Sequence, residues 1–261
     1  DISLDGRIVA MKRIHQFDEA DRRMLERFEQ ERRSIAELNH ANVVTVLDAG
    51  EDAFGPYLVM EYVDGRDLRE LFSLSRTLDV GPSAEVVVSI LVHLLEALDY
   101  AHGATDTSGA SMGIIHRDVS PANVIINTRG DGKLADFGIA READQHGLSM
   151  PGAVQGKFAY MSPEQASGQE IDARSDQFSA GVMAWELLTG NRPFDGATDM
   201  ATLERIRTED PGSLGDAWPQ GAFEVVTVVD RLMAREPEER FERASDASGE
   251  LRAWLVSEGS L

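Results

Sequence analysis

From Arg7 to Ile14 the chain alternates: Ile8, Ala10 and Lys12 share one face, and Val9, Met11 and Arg13 the other. A period of two marks a half-buried strand. The period then changes. Between about Asp18 and Leu38, a charged segment carries Leu25, Phe28, Ile35 and Leu38 at helical spacing. Val43 to Asp48 and Tyr57 to Tyr62 return to strand-like sequence, separated by Gly50 and by Gly55-Pro56. After a short connector, Val63-Asp64-Gly65-Arg66, helical sequence predominates, with a long apolar helix predicted over Ser83 to His102. Val124 to Ile126 and Lys133 to Ala135 read as a hairpin around Gly130-Asp131-Gly132. Later helices are predicted over Ser175 to Thr189, Met200 to Arg207, Phe223 to Ala234 and Ala244 to Ser257. The small, polar run from Ala104 to Met112 reads as a surface loop. A mainly β segment followed by a mainly α one predicts an α+β chain with two unequal lobes joined near Val63.

Composition narrows the function classes. The 261 residues can bury a substantial core and include no cysteine, which excludes a disulfide framework and fits a reducing, cytoplasmic setting. A formal charge of -21 and a pI near 4.6 make a surface that repels nucleic acid and anionic lipid. Neither is expected as a partner. Such a surface suits basic peptide segments of a protein partner, or simply solubility. No apolar run approaches the ~20 residues that span a bilayer, so no membrane contact is expected from this segment. Asp rather than Met stands first, so the segment is expected to be cut from something longer.

Candidate chemistry lies in two places. Glu31 falls on the apolar stripe of the first helix, three after Phe28 and four before Ile35. A carboxylate there is costly to bury unless paired, and Lys12 on the preceding strand is the natural cation. The second place is His116-Arg117-Asp118-Val119-Ser120-Pro121-Ala122-Asn123, followed by Asp136-Phe137-Gly138. An isolated carboxylate, an amide and a second carboxylate at this spacing suit the gripping of Mg-nucleotide.

These stretches resemble the catalytic loop and metal-binding turn of the eukaryotic-like protein kinases. They are most similar to bacterial serine/threonine kinases with an HRDVSP loop and a polar insert before it, as Ala104 to Met112 is here. The resemblance runs from Val9 to about Leu255. It implies one bilobal kinase domain over 1–261, with a small β-rich N-lobe to about 62 and a helical C-lobe beyond. It further implies Mg-dependent transfer of the γ-phosphoryl of ATP to protein serine or threonine hydroxyls in signalling. Lys12 and Glu31 would position the phosphates, Asp118 would orient and deprotonate the acceptor, and Asn123 and Asp136 would bind metal. Met60 matches the gatekeeper, Glu61 and Val63 would offer backbone hydrogen bonds to the purine, Ala10 and Ile125 would sandwich it, and Asp67 matches the ribose-contacting acid. Ser162-Pro163-Glu164 is similar to the family's Ala-Pro-Glu, whose glutamate would pair with Arg240. Asp176 would hydrogen-bond the catalytic-loop backbone, and His116 would be a packed core residue.

Three departures qualify the resemblance. The Gly-rich phosphate loop expected before Val9 is not in the sequence, as for a chain beginning where that hairpin finishes. Ser120 replaces the lysine that usually stabilises the transferring phosphoryl. Lys157 replaces a threonine whose side chain points at the active site. It either supplies the cation lost at Ser120 or pairs with a loop carboxylate at the surface. Between Gly138 and Ser162 the one serine or threonine is Ser149, which on phosphorylation would order the loop through Arg117. A pseudokinase serving as a nucleotide-binding or scaffold module, and a small-molecule kinase of related fold, are the competing readings.

Overall fold

The computed structural model describes residues 2–4, 6–13, 38–52, 55–137 and 158–259. Its first sheet is antiparallel, in the order β1-β2-β4-β3, from strands β1 (Ile2–Leu4), β2 (Arg7–Arg13), β3 (Val46–Asp52) and β4 (Gly55–Glu61). Gly6, at φ 79°, makes the tight turn between β1 and β2. Val9, Leu58 and Val59 are buried. On β2, Arg13 grips Asp52 of β3 through two 2.7 Å hydrogen bonds and lies over the Tyr57 ring.

Alternation predicts a strand starting at Val43, but β3 starts at Val46. The reason lies in the second sheet, β5-β6-β7, made of β5 (Gly65–Asp67), β6 (Val124–Asn127) and β7 (Gly132–Leu134). Leu134 donates to the Asn42 carbonyl at 2.7 Å and accepts from the Val44 N–H at 2.8 Å. Val43 thus bridges β7 in parallel instead of joining the first sheet. The predicted connector contains β5 because Gly65 lies against Ile126: a Cβ there would sit 2.1 Å from the Ile126 carbonyl oxygen.

The helical lobe is built on α2 (Ala84–His102) and α4 (Ala173–Thr189), after α1 (Leu68–Thr77) and the short α3 (Pro163–Ala166). Leu91, Leu95 and Leu98 of α2 meet Phe178 and Met183 of α4 in the core. Around them lie α5 (Asp199–Thr208), α6 (Leu214–Ala217), α7 (Phe223–Leu232) and α8 (Ala244–Ser257). Side-chain caps explain two starts that differ from the predicted ones: Asp172 caps Arg174 before α4, and Thr198 caps Ala201 before α5. The polar insert is a small hairpin. Thr105 bridges Ser111, and Asp106 Oδ1 accepts from the Ser108 and Ala110 amides and the Ser108 hydroxyl. Among the described residues, no helix is long and apolar enough to cross a membrane.

Candidate active site

Asp176, in the first turn of α4, is 1% exposed and organises the loop that carries the candidate chemistry. Its Oδ2 accepts from the His116 amide at 2.7 Å and from His102 Nε2 at 2.8 Å, while Oδ1 accepts from the Arg117 amide at 2.8 Å. Burial alone would raise this carboxyl, but the His102 and His116 contacts outweigh it and hold Asp176 below the usual range. Arg117 sits at φ 65°, a conformation that strains a non-glycine residue and persists where the surroundings impose it.

His116 is fully buried and tilted on Phe137, ring centroids 4.7 Å apart. Its Nε2 bonds the Ala135 carbonyl at 2.9 Å and its Nδ1 accepts from the Asp118 amide at 3.2 Å. One partner only accepts and the other only donates, so the neutral Nε2–H tautomer satisfies both. Burial pushes its pKa down, in the same direction.

The 3₁₀ turn Pro121–Asn123 then joins loop to hairpin. Asn123 Nδ2 donates to the Asp118 carbonyl at 2.7 Å, which orients the amide, and the Asn123 carbonyl accepts from Ala135 at 2.8 Å. Asp136 follows at φ 59°, and its Oδ1 meets Lys12 Nζ of β2 at 2.7 Å. The structure thus brings Lys12, Asp136, Asn123 and Asp118 into one connected unit. Spacing paired Lys12 with Glu31; the contact formed among the described residues is with Asp136. Glu31, Gly138, Ser149 and Lys157 lie outside the described residues. Ser120 is half-buried at the start of the 3₁₀ turn, and its side chain makes no capping bond.

The residues matched to an adenine site fall on facing strand positions. Ala10 is opposite Met60 across β2 and β4, and Asp67 is opposite Ile125 across β5 and β6. Val63 follows β4 and is half-buried. Asp67 also caps α1, accepting from the Glu70 amide at 2.8 Å. Glu61 has a role that spacing missed: its Oε1 takes the Thr45 amide and Lys133 Nζ, both at 2.8 Å. An alternating lysine on a short strand carries no signal for such a partner.

Below the loop, Glu164 and Arg240 form the expected pair, bidentate at 2.7 and 3.0 Å and buried. Burial would raise Glu164, but Arg240 and the Ser175 hydroxyl hold it low. Gln165 Nε2 reaches the Arg117 carbonyl at 3.2 Å, tying this segment to the loop. Tyr160 donates to Glu186 at 2.5 Å, and burial pushes both groups upward.

Comparison with known proteins agrees with this arrangement. Residues 3–248 match the family model described as protein kinase domain. A probable serine/threonine-protein kinase of Streptomyces coelicolor is 38% identical over 256 residues, 96% of this chain and 36% of that protein. The serine/threonine-protein kinase PknL of Mycobacterium tuberculosis is 37% identical over 257 residues, 97% of this chain and 60% of its own length. The chain therefore spans between about a third and three fifths of these two relatives. The crystal structure of the M. tuberculosis PknI kinase domain superposes with a TM-score of 0.66 at 29% identity, covering 90% of this chain and 80% of that one.

Proposed function

Since this chain belongs to the protein kinase domain family, with bacterial serine/threonine-protein kinases as relatives, we propose that it transfers the γ-phosphoryl of Mg-ATP to serine or threonine hydroxyls of proteins in signalling. The organisation proposed with it is one kinase domain over 1–261, with its lobes dividing near residue 62. The observation that supports the reading is the link from the Asp118 backbone through Asn123 to Ala135, beside Asp136, whose carboxylate meets Lys12.

In this reading the Asn123 amide oxygen and the Asp136 carboxylate are hard oxygen donors of the kind Mg²⁺ takes. The ion, when bound, offsets charge on the phosphate oxygens. Lys12, steadied by Glu31, holds the α- and β-phosphates. Asp118 orients the acceptor hydroxyl and takes its proton. Lys157 supplies the cation absent at Ser120. Met60, Ala10 and Ile125 enclose the purine, the Glu61 and Val63 backbones hydrogen-bond it, and Asp67 meets the ribose. Protein acceptors with basic segments suit the charge of -21. Work in the cytoplasm, without nucleic acid or membrane contact from this segment, completes the proposal.

Ser120 is the observation that favours a second reading, a nucleotide-binding module without transfer. Incubation with labelled ATP and Mg²⁺, alone and with a generic basic protein, separates the two. Label on protein that disappears in Asp118→Asn supports the kinase. Nucleotide binding without label, or label that survives in Asp118→Asn, overturns it.

A further inference from the structure

Lys133 projects from β7 of the second sheet and pairs with a residue of the first sheet. Its Nζ lies 2.8 Å from Glu61 Oε1 and 3.5 Å from the Val43 carbonyl. The two side chains are 16% and 29% exposed, so water screens this pair far less than a surface one. Glu61 is fixed from both ends. Its Oε1 also accepts the Thr45 amide at 2.8 Å, and its own N–H donates to the Thr45 carbonyl at 2.9 Å. Burial would raise the Glu61 carboxyl, but Lys133 and the Thr45 amide hold it low, which favours the carboxylate.

The partners occupy opposite walls. Glu61 is the last residue of β4, next to Met60, which faces Ala10. Lys133 lies directly opposite Ile125 in the β6–β7 ladder. In the kinase reading, on which this inference rests, Ala10 and Ile125 enclose the purine and the Glu61 peptide hydrogen-bonds it. A charged link between the two walls holds that slot at one width before any nucleotide arrives.

We propose that Lys133 is a positioning residue for nucleotide, acting through its ion pair with Glu61 to fix the β4 end over Ile125. The phosphate end, built on Lys12, Asn123 and Asp136, is left alone. Loss of Lys133 therefore weakens nucleotide binding more than it slows transfer.

The test measures Kd for a fluorescent ATP analogue, KM for ATP, kcat and Tm in the wild type, Lys133→Met, Lys133→Arg, Glu61→Gln and the Lys133→Met/Glu61→Gln pair. Lys133→Met is expected to raise Kd and KM about five- to tenfold with kcat changed by less than about twofold. Lys133→Arg, which keeps the cation, stays within about threefold of wild type. The double variant binds no more weakly than the weaker single one, because both substitutions cut the same link. A lowered Tm with unchanged Kd and KM, or losses that add in the double variant, overturns the proposal. Lys133→Gln carries the same comparison should Lys133→Met not fold. A wild type that binds the analogue but transfers no phosphate sinks the kinase reading, and the Kd series still judges Lys133. A wild type that binds no nucleotide sinks both.

Discussion

The Asp176 carboxylate accepts the Arg117 amide at 2.8 Å, and Arg117 is the residue held at φ 65°. A buried acceptor on a rigid helix thus offsets the strain of the turn that presents Asp118. Asp176→Ala would strand the His116 and Arg117 amides and His102 Nε2. At about 1–3 kcal/mol per buried unsatisfied group, and less for the two part-buried ones, the loss is expected to be at least about 2 kcal/mol, read as a lower urea midpoint. Phosphotransfer should fall with it, even under conditions where the variant is fully folded. Full activity in the folded variant would show that the loop keeps its shape without this anchor.

Arg240→Met leaves the buried Glu164 carboxyl without its cation and, among the described residues, with the Ser175 hydroxyl as its side-chain partner. Breaking one side of a buried pair costs about 3–5 kcal/mol, whereas replacing both partners by apolar residues is often neutral. Urea unfolding of Arg240→Met and of Glu164→Met/Arg240→Met is the check, with the double variant expected to be the more stable.

Lys12 occupies the Asp136 carboxylate that the proposed site needs for metal. Lys12→Met should therefore bind Mn²⁺, used as a probe without nucleotide, more tightly. The gain is at most about fivefold, because the pair is largely solvated. Asp136→Asn should abolish that binding and lower transfer roughly 100-fold or more. Equal Mn²⁺ affinity in wild type and Lys12→Met would mean that lysine and metal do not compete.

Lys157→Ala should reduce kcat by roughly tenfold or more, and Ser120→Lys in that background should restore much of it, since either lysine would face the transferring phosphoryl. Activity within about twofold of wild type in Lys157→Ala removes Lys157 from the reaction.

Burial depresses the pKa of His116, so the folded state binds its proton less readily than the unfolded chain does. The sign follows. Stability from the neutral ring is complete above the unfolded value of about 6.5 and is lost as pH falls from there toward the folded value. His40 and His93 shift the same way, through burial. Asp176 and Glu164, held low, weaken the fold in a separate window, as pH drops below the ordinary carboxylate range. Urea midpoints at pH 7.5 and 5.5 should differ, and the difference should shrink in His116→Gln.

Local patterns made much of this legible. The last helix is predicted and found over Ala244–Ser257, because its apolar stripe demands one solution, and the Glu164–Arg240 pair that the kinase resemblance implies is formed. What escaped depends on residues far apart. Gly65-Arg66-Asp67 has no apolar alternation, so its place beside β6 is invisible until Ile126 arrives. Val43 and Val44 look like strand and lie against β7, while Thr45 bonds Glu61 of β4. Lys12 meets Asp136 across 124 residues of chain, a contact with no local signal, and Glu31, the partner read from helical spacing, lies outside the described residues.

Asn42 and Gly132 are 90 residues apart in the chain, yet the asparagine amide and the glycine carbonyl meet at 2.8 Å. A ribosome therefore delivers β2, β3 and β4 well before their fastening strand exists. Until β7 emerges, Glu61 lacks Lys133, and the Asn42 carbonyl and Val44 N–H lack Leu134. Pairings across such separations form late, because the intervening chain must close first. In the kinase reading, nucleotide recognition therefore waits until β7 and Asp136 have been translated.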